Sequence, residues 1–154
     1  MGKKQKIGSL TFESCINETD LKKVYNYDVD VFAEASDFVW SLKSLKSEQK
    51  KGWSIYSVTS SEANNEIVAA LFIKEGEKEL MTKNTAIKMA HQGKGVSHQI
   101  KQFFEKQAKT SKMKNIVHFC AVDNFRTIAL NESHGYKKVD VLKNGEIIKW
   151  QKPV

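Results

Sequence analysis

The residues with the clearest chemical potential lie in Gln92-Gly93-Lys94-Gly95-Val96-Ser97, between an extended apolar run and a stretch of helical period. Upstream, Leu80 to Ala90 reads as a strand; downstream, Val96, Ile100, Phe103 and Phe104 recur at helical spacing, with Lys101, Lys106 and Lys109 on other faces. A strand-to-helix turn is therefore predicted. Its two glycines let the backbone bend tightly and approach a ligand with no Cβ in the way, while the first N–H groups of the helix face outward at its positive dipole end. Such a turn suits a phosphate or pyrophosphate. The Walker loop needs Gly-x-x-x-x-Gly-Lys-Ser/Thr and the dinucleotide fingerprint needs Gly-x-Gly-x-x-Gly, and Gly93-Lys94-Gly95 has neither extension. A plain helix entry is the alternative.

A second stretch follows at Asn124-Phe125-Arg126-Thr127-Ile128-Ala129-Leu130-Asn131-Glu132-Ser133-His134-Gly135-Tyr136. Asn124 is a good N-cap, Phe125, Ile128 and Ala129 make an apolar face, and Gly135 is a stop before the next strand. Together the two stretches resemble the GNAT superfamily of acyl-coenzyme-A-dependent N-acetyltransferases. Gln92, Gly95 and Ser97 occupy the three defined places of its Gln/Arg-x-x-Gly-x-Gly/Ala loop, Ser97 departing from Gly/Ala, and Asn124 to Tyr136 resembles its Asn-x-x-Ala/Ser-x-x-Leu-Tyr-x-x-x-Gly-Phe/Tyr segment. The resemblance covers Val68 to Tyr136, about half of the chain. It implies acetyl-CoA as co-substrate, its pyrophosphate held by the loop Gln92, Gly93, Lys94, Gly95, Val96 and Ser97, with Asn124 and Arg126 as further cofactor contacts. It also implies that the pantetheine arm pairs in strand fashion beside Ile87, Lys88 and Met89, where one amide could polarise the thioester carbonyl.

Acyl transfer from a thioester to an amine needs a neutral amine, a stabilised oxyanion and a proton for the departing thiolate. Where the resemblance places an acidic Tyr, this chain has Asn131, whose amide donates no proton at neutral pH; Ser133 is the candidate relay. The positions where relatives place a Glu or His base hold Met81, Lys83 and Phe119. Glu79, Glu34 and Asp37 are candidates working through water. His91, His118 and His134 read as structural or surface residues with no metal spacing, and Cys120 as a small apolar residue in a strand.

These groups must be positioned by a chain of 154 residues, enough for one domain with a substantial core; residues 1–5 read as a flexible basic tail. Two distant cysteines and no signal peptide or membrane-length apolar run point to the cytoplasm. The Met-Gly-Lys-Lys start has Lys6 where a myristoylation signal needs Ser or Thr. The net charge of +7 is carried by lysine, with Arg126 the only arginine, which disfavours a nucleic-acid partner. Residues 13 to 37 hold seven acids against Lys22 and Lys23, a local balance of −5 that leaves +12 for the remainder. A basic body suits a polyanionic cofactor, and an acidic patch at Asp28, Asp30, Glu34 and Asp37 suits a cationic amine acceptor. Solvated helix faces would give the same pattern.

Taken in order, Lys6 to Glu13 reads as a strand, a helix carries Leu21, Val24, Tyr25, Val29 and Phe32, and a second helix capped by Ser36 carries Phe38, Val39, Leu42 and Leu45. Strands are predicted at Trp53 to Thr59, Glu66 to Lys74, Leu80 to Ala90, Asn115 to Val122, Tyr136 to Leu142 and Glu146 to Lys152, with Asn144-Gly145 as the final hairpin turn. The order β-α-α-β-β-β-α-β-α-β-β is a mixed α+β sheet with helices on both faces, which is also the GNAT order. The reading is an N-acetyltransferase, monomer or homodimer, using acetyl-CoA in a ternary complex with an amine, without membrane partner or metal. Its rival is a non-catalytic acyl-CoA-binding sensor or scaffold of the same fold, and a lysine-rich nucleic-acid binder stands third.

Overall fold

A computed structural model describes residues 3–26, 41–87, 91 and 95–154. The strands are β1 (Lys4–Ile7), β2 (Leu10–Ser14), β3 (Ser54–Ser60), β4 (Glu66–Glu75), β5 (Glu79–Ile87), β6 (Asn115–Ala121), β7 (Lys137–Leu142) and β8 (Ile147–Pro153). The helices are α1 (Glu18–Asn26), α2 (Leu42–Lys50), α3 (Val96–Thr110) and α4 (Phe125–Ser133). One eight-stranded sheet runs β1-β2-β3-β4-β5-β6-β8-β7, and only the β5–β6 pair is parallel.

The predicted order holds with one addition. The expected first strand is a hairpin, and Lys4 and Gln5, read as tail, pair with Glu13 and Phe12. Gly8 makes the bend at φ +58, where a Cβ would lie 2.7 Å from the Gln99 amide nitrogen. Helix α1 enters through Asn17, whose Oδ1 accepts from the Asp20 N–H at 3.0 Å while the Asp20 carboxylate accepts from Ile16 N–H at 3.0 Å. The Ser36 cap read from the sequence lies outside the described residues. Ser41 is extended (φ −148, ψ 158) and its hydroxyl accepts from Ser44 N–H, so α2 starts at Leu42.

The run Ile67 to Ile73 in β4 is apolar at successive positions because both of its faces are covered. Ala69, Leu71 and Ile73 face the cluster that holds Phe12, Tyr56, Leu80, Ile100, Phe103 and Phe104. Ala70 and Phe72 face Cys15, Leu21, Val24 and Leu45 from α1 and α2. Helix α3 thus covers one face and α1 with α2 the other. Phe103 is the hub of the larger cluster, stacked on Phe12 at 4.2 Å between centroids and edge-on to Tyr56 at 5.2 Å.

Both helices that flank β6 end in a Schellman turn. After α4, Tyr136 N–H donates to Asn131 O and Gly135 N–H to Glu132 O, with Gly135 at φ +83. After α3, Met113 N–H donates to Ala108 O and Lys112 N–H to Lys109 O, but the left-handed residue is Lys112 at φ +58. Replacing Lys112 with glycine relieves that strain, worth about 1 kcal/mol. A rise in the urea midpoint at constant slope is expected; a fall would mean that the Lys112 side chain contributes more than its backbone loses.

The last hairpin turns one residue earlier than its Asn-Gly pair suggests. Gly145 N–H donates to Leu142 O, and Lys143 (φ +53) and Asn144 (φ +57) are the two central residues of a type I′ turn.

Candidate active site

Strands β5 and β6 pair over only four positions, from Glu79 with Asn115 to Thr82 with His118. Beyond Thr82 the two strands part, β5 continuing to Ile87 and β6 to Ala121. A register shift against β4 adds one residue to β5 between Lys83 and Ala86, which turns the strand at the start of the gap. These two parallel strands therefore splay beyond Thr82 and His118.

Helix α3 opens at the mouth of this gap. Gly95 is its N-cap at φ +83, makes no side-chain cap, and among the described residues would place a Cβ with nothing within 4 Å. The first turn carries no acid, and the N–H groups of Val96, Ser97 and His98 precede the first intrahelical bond, from Gln99 N–H to Gly95 O at 3.2 Å. The positive dipole end and N–H groups with no acceptor inside the helix, beside a glycine at positive φ, together fit an anion. Gln92, Gly93, Lys94, Lys88 and Met89 lie outside the described residues, as do Asp28, Asp30, Glu34 and Asp37. Ile87 is described: it pairs with Ala69 and packs against the larger core cluster.

Helix α4 carries the Asn124 cap, whose Oδ1 accepts from Thr127 N–H at 3.2 Å. Of the apolar face read from the sequence, Ile128 packs against the core and the other two residues do not. Phe125 is 75% exposed and Ala129 is exposed, while Thr127 and Asn131 point inward. Arg126 is on the exposed side with Phe125. The Ser133 hydroxyl donates back to Leu130 O at 2.8 Å on the exposed side of its own helix. Glu79 begins β5, at the closed end of the gap, so eight residues of strand, roughly 26 Å, separate it from Ile87. Neither Ser133 nor Glu79 is brought to the gap.

A different set of polar groups lies where the strands part. Lys101 of α3 is 2% exposed, and its Nζ donates to Asn131 Oδ1 at 2.6 Å. The same Nζ lies 3.5 Å from His118 Nδ1, and that nitrogen is 2.8 Å from the Thr82 hydroxyl, which donates to Val117 O. Asn131 and Thr82 are fully buried and His118 is 1% exposed. The rings of Tyr136 and Phe104 line the ammonium at 4.5 and 5.7 Å. Among the described residues Asn131 Nδ2 and the Tyr136 hydroxyl are buried with no hydrogen-bond partner. Burial, with the Glu105 charge second, pushes the Tyr136 phenol above its ordinary pKa.

The sequence carried a signal for Lys101: with Phe104 and Ala108 it falls on one helical stripe, at i, i+3 and i+7. On the opposite face of the sheet Lys83 is committed elsewhere, donating to Glu48 Oε2 at 2.9 Å and lying 4.2 Å over the Trp53 ring. Both cysteines are buried, and burial pushes the Cys15 thiol up to about 12, aided by the charges of Asp20 and Glu13. Among the described residues there is no cluster of three metal-ligating side chains and no helix long and apolar enough to cross a membrane.

His98 on α3 and His134 at the end of α4 share one hydrogen bond, Nδ1 to Nε2 at 2.7 Å. Burial lowers the His134 pKa, and the charges of His98, Lys101 and Lys152 lower it further against the pull of Glu105. A lowered folded pKa means that the unfolded chain takes the proton first. Stability from this group is therefore complete above about pH 6.5 and is lost as pH falls toward the depressed folded value. His134→Gln is expected to flatten the slope of unfolding free energy between about pH 7 and 5. An unchanged slope would assign the acid sensitivity to other groups.

No protein-family model matches the chain, and no curated protein matches it by sequence. Among solved structures, it is similar to the ribosomal-protein-S18-alanine N-acetyltransferase from Escherichia coli, at TM-score 0.74 and 20% identity over 94% of each chain. Spermidine N-acetyltransferase from Vibrio cholerae, solved in complex with CoA and spermine, matches at TM-score 0.69 and 15% identity over 94% of this chain and 95% of that one. An IAA acetyltransferase from Bacillus cereus matches at TM-score 0.70 and 15% identity over 95% and 100%. The fold is that of the GNAT N-acetyltransferases, and it extends through nearly the whole chain.

Proposed function

We propose that this protein transfers an acetyl group from acetyl-CoA to a primary amine by direct attack in a ternary complex. The observation that carries the reading is the parting of β5 and β6 after Thr82 and His118, beside the capless N-terminus of α3 at Gly95. A gap between parallel strands accepts an extended pantetheine arm, whose amides replace strand neighbours near Ile87 and the two residues after it. The Gly95, Val96 and Ser97 amides would hold the pyrophosphate, with Gln92, Gly93 and Lys94 completing the loop and Asn124 and Arg126 flanking it. Support comes from the shared fold with proteins whose names describe N-acetylation, one of them bound to CoA and spermine.

The acceptor is assigned to the acidic stretch holding Asp28, Asp30, Glu34 and Asp37, whose field would concentrate a cationic amine. One observation favours the non-catalytic alternative: Ser133 and Glu79 do not face the gap. A single experiment separates the readings. Melting with saturating acetyl-CoA reports binding, and thiol release with a panel of amines reports transfer. Binding with transfer supports the enzyme, binding without transfer to any amine the sensor, and absence of both removes the two together.

A further inference from the structure

If the gap between β5 and β6 takes the thioester arm, an amine must reach its acyl carbon from one face of the sheet or the other. The α3 face is closed where the strands part: Thr82 and Asn131 are fully buried, and His118 and Lys101 nearly so. Lys83 projects from the opposite face. It pairs with Phe72 of β4, which packs under α1 and α2, and it is the first residue of β5 past the last parallel rung at Thr82. It is also the only primary amine on either strand that borders the gap. Its side chain is 20% exposed and Trp53 beside it is half-buried, so this face admits solvent.

The surroundings of that amine suit acylation. Attack on a thioester needs a neutral nitrogen, and Nζ donates to Glu48 Oε2 of α2 at 2.9 Å, so a carboxylate stands in place to take its proton. The Trp53 ring lies 4.2 Å from Nζ and offers an apolar wall to the neutral amide that acylation makes. Once the proton has passed to Glu48, the attraction of unlike charges that held Nζ to α2 is gone, and the flexible four-carbon stem can swing toward the gap. An arm anchored at Gly95 enters from the open end of the gap. Its reactive end then lies between Ile87 and Thr82, where that stem is rooted.

We propose that Lys83 is a self-acetylation site, modified by acetyl-CoA bound in the same molecule; the assignment rests on the acetyltransferase reading above. The Lys83 ammonium gives one proton to Glu48, which passes it to water. The nitrogen lone pair bonds to the thioester carbon, the C–S bond breaks with its electron pair going to sulfur, and a second nitrogen proton goes to sulfur as the amide forms. One ammonium and acetyl-CoA thus become acetyl-lysine, the CoA thiol and one released proton. The product has lost the cation that pairs with Glu48 and lies over Trp53. The tie between α2 and β5 is weakened, and the buried carboxylate is left without its counter-charge, on the face by which an acceptor enters.

The test gives the purified protein isotopically labelled acetyl-CoA with no amine and follows the label by intact mass and peptide mapping. Uncatalysed acetylation in solution favours exposed lysines such as Lys137 and Lys138. The expected result is label on Lys83 ahead of them, at a rate that saturates with acetyl-CoA and does not change with protein concentration. Glu48→Gln is expected to slow labelling of Lys83 about 10²- to 10⁴-fold, with the acetyl-CoA melting shift retained. Lys83→Arg should take no early label and keep the same shift. Three outcomes overturn the assignment and leave the acetyltransferase reading standing: label spread over the exposed lysines, Lys83 label that scales with protein concentration, or no label while acetyl-CoA still shifts the melting. Labelling of Glu48→Gln at the wild-type rate overturns it as well. If Glu48→Gln does not fold, the order and concentration dependence of labelling in the wild type carry the test alone. Absence of both label and melting shift refutes the acetyltransferase reading and this assignment with it.

Discussion

Gly95→Asp is expected to leave the protein folded and to abolish its melting shift with acetyl-CoA. The folding side is decided by geometry. A Cβ at Gly95 meets nothing within 4 Å among the described residues, and the φ of +83 costs about 1 kcal/mol, less for aspartate than for most residues. A carboxylate at a helix N-terminus returns part of that through the dipole. The binding side is decided by charge. Two unit charges about 4 Å apart repel by about 1 kcal/mol in water and about 4 kcal/mol near a protein surface, so affinity should fall between roughly 5- and 1,000-fold. A ligand at about a hundred times its dissociation constant stabilises by roughly 2.7 kcal/mol, and a loss of that order removes the shift. Gly95→Asn separates the two contributions, because it has the same shape and no charge. If both variants bind acetyl-CoA like wild type, the turn is only a helix entry.

Phe103→Ala should give the largest loss of stability in the molecule, about 3–5 kcal/mol. Phe103 is fully buried, stacked on Phe12 of the N-terminal hairpin and edge-on to Tyr56 of β3, so its removal unpins α3 from two strands at once. For a domain of this size that is a melting decrease of roughly 6 to 20 °C. A Phe103→Leu variant recovers most of it, since it restores volume without the ring contacts. A loss below about 1.5 kcal/mol in Phe103→Ala would mean that the Phe12 and Tyr56 rings close over the hole.

Sequence periodicity made the sheet and α3 readable because their apolar spacing is set by what each face buries. The Val68 to Ile73 run, Val96, Ile100, Phe103 and Phe104 all lie in the core. The glycine turn was readable because its chemistry is backbone chemistry. Helix α4 was misjudged for the opposite reason. Its inward residues Thr127 and Asn131 are polar and are accommodated by a cap and by Lys101, a partner thirty positions away from Asn131 that no local pattern reveals. Lys101 itself was placed on an outer face because charge outweighed its fit to the stripe. The N-terminal strand was taken as one because Gly8 interrupts only a weak alternation, and the bend depends on the close approach of Gln99 from α3.

The single parallel pairing has a further consequence. Each side of it is antiparallel throughout: β1 to β5, paired in chain order, on one side, and β6, β8 and β7, with β8 in the middle, on the other, each drawn from one contiguous stretch of sequence. Four rungs and the span of α3 across β5, β6 and β1 are what stitch the two leaves. The sheet is therefore a book with a short spine. A molecule lying between its pages touches both leaves without belonging to either, and cutting the chain in the turn at 111–114 would leave each leaf whole, to be bound together again by the guest between them.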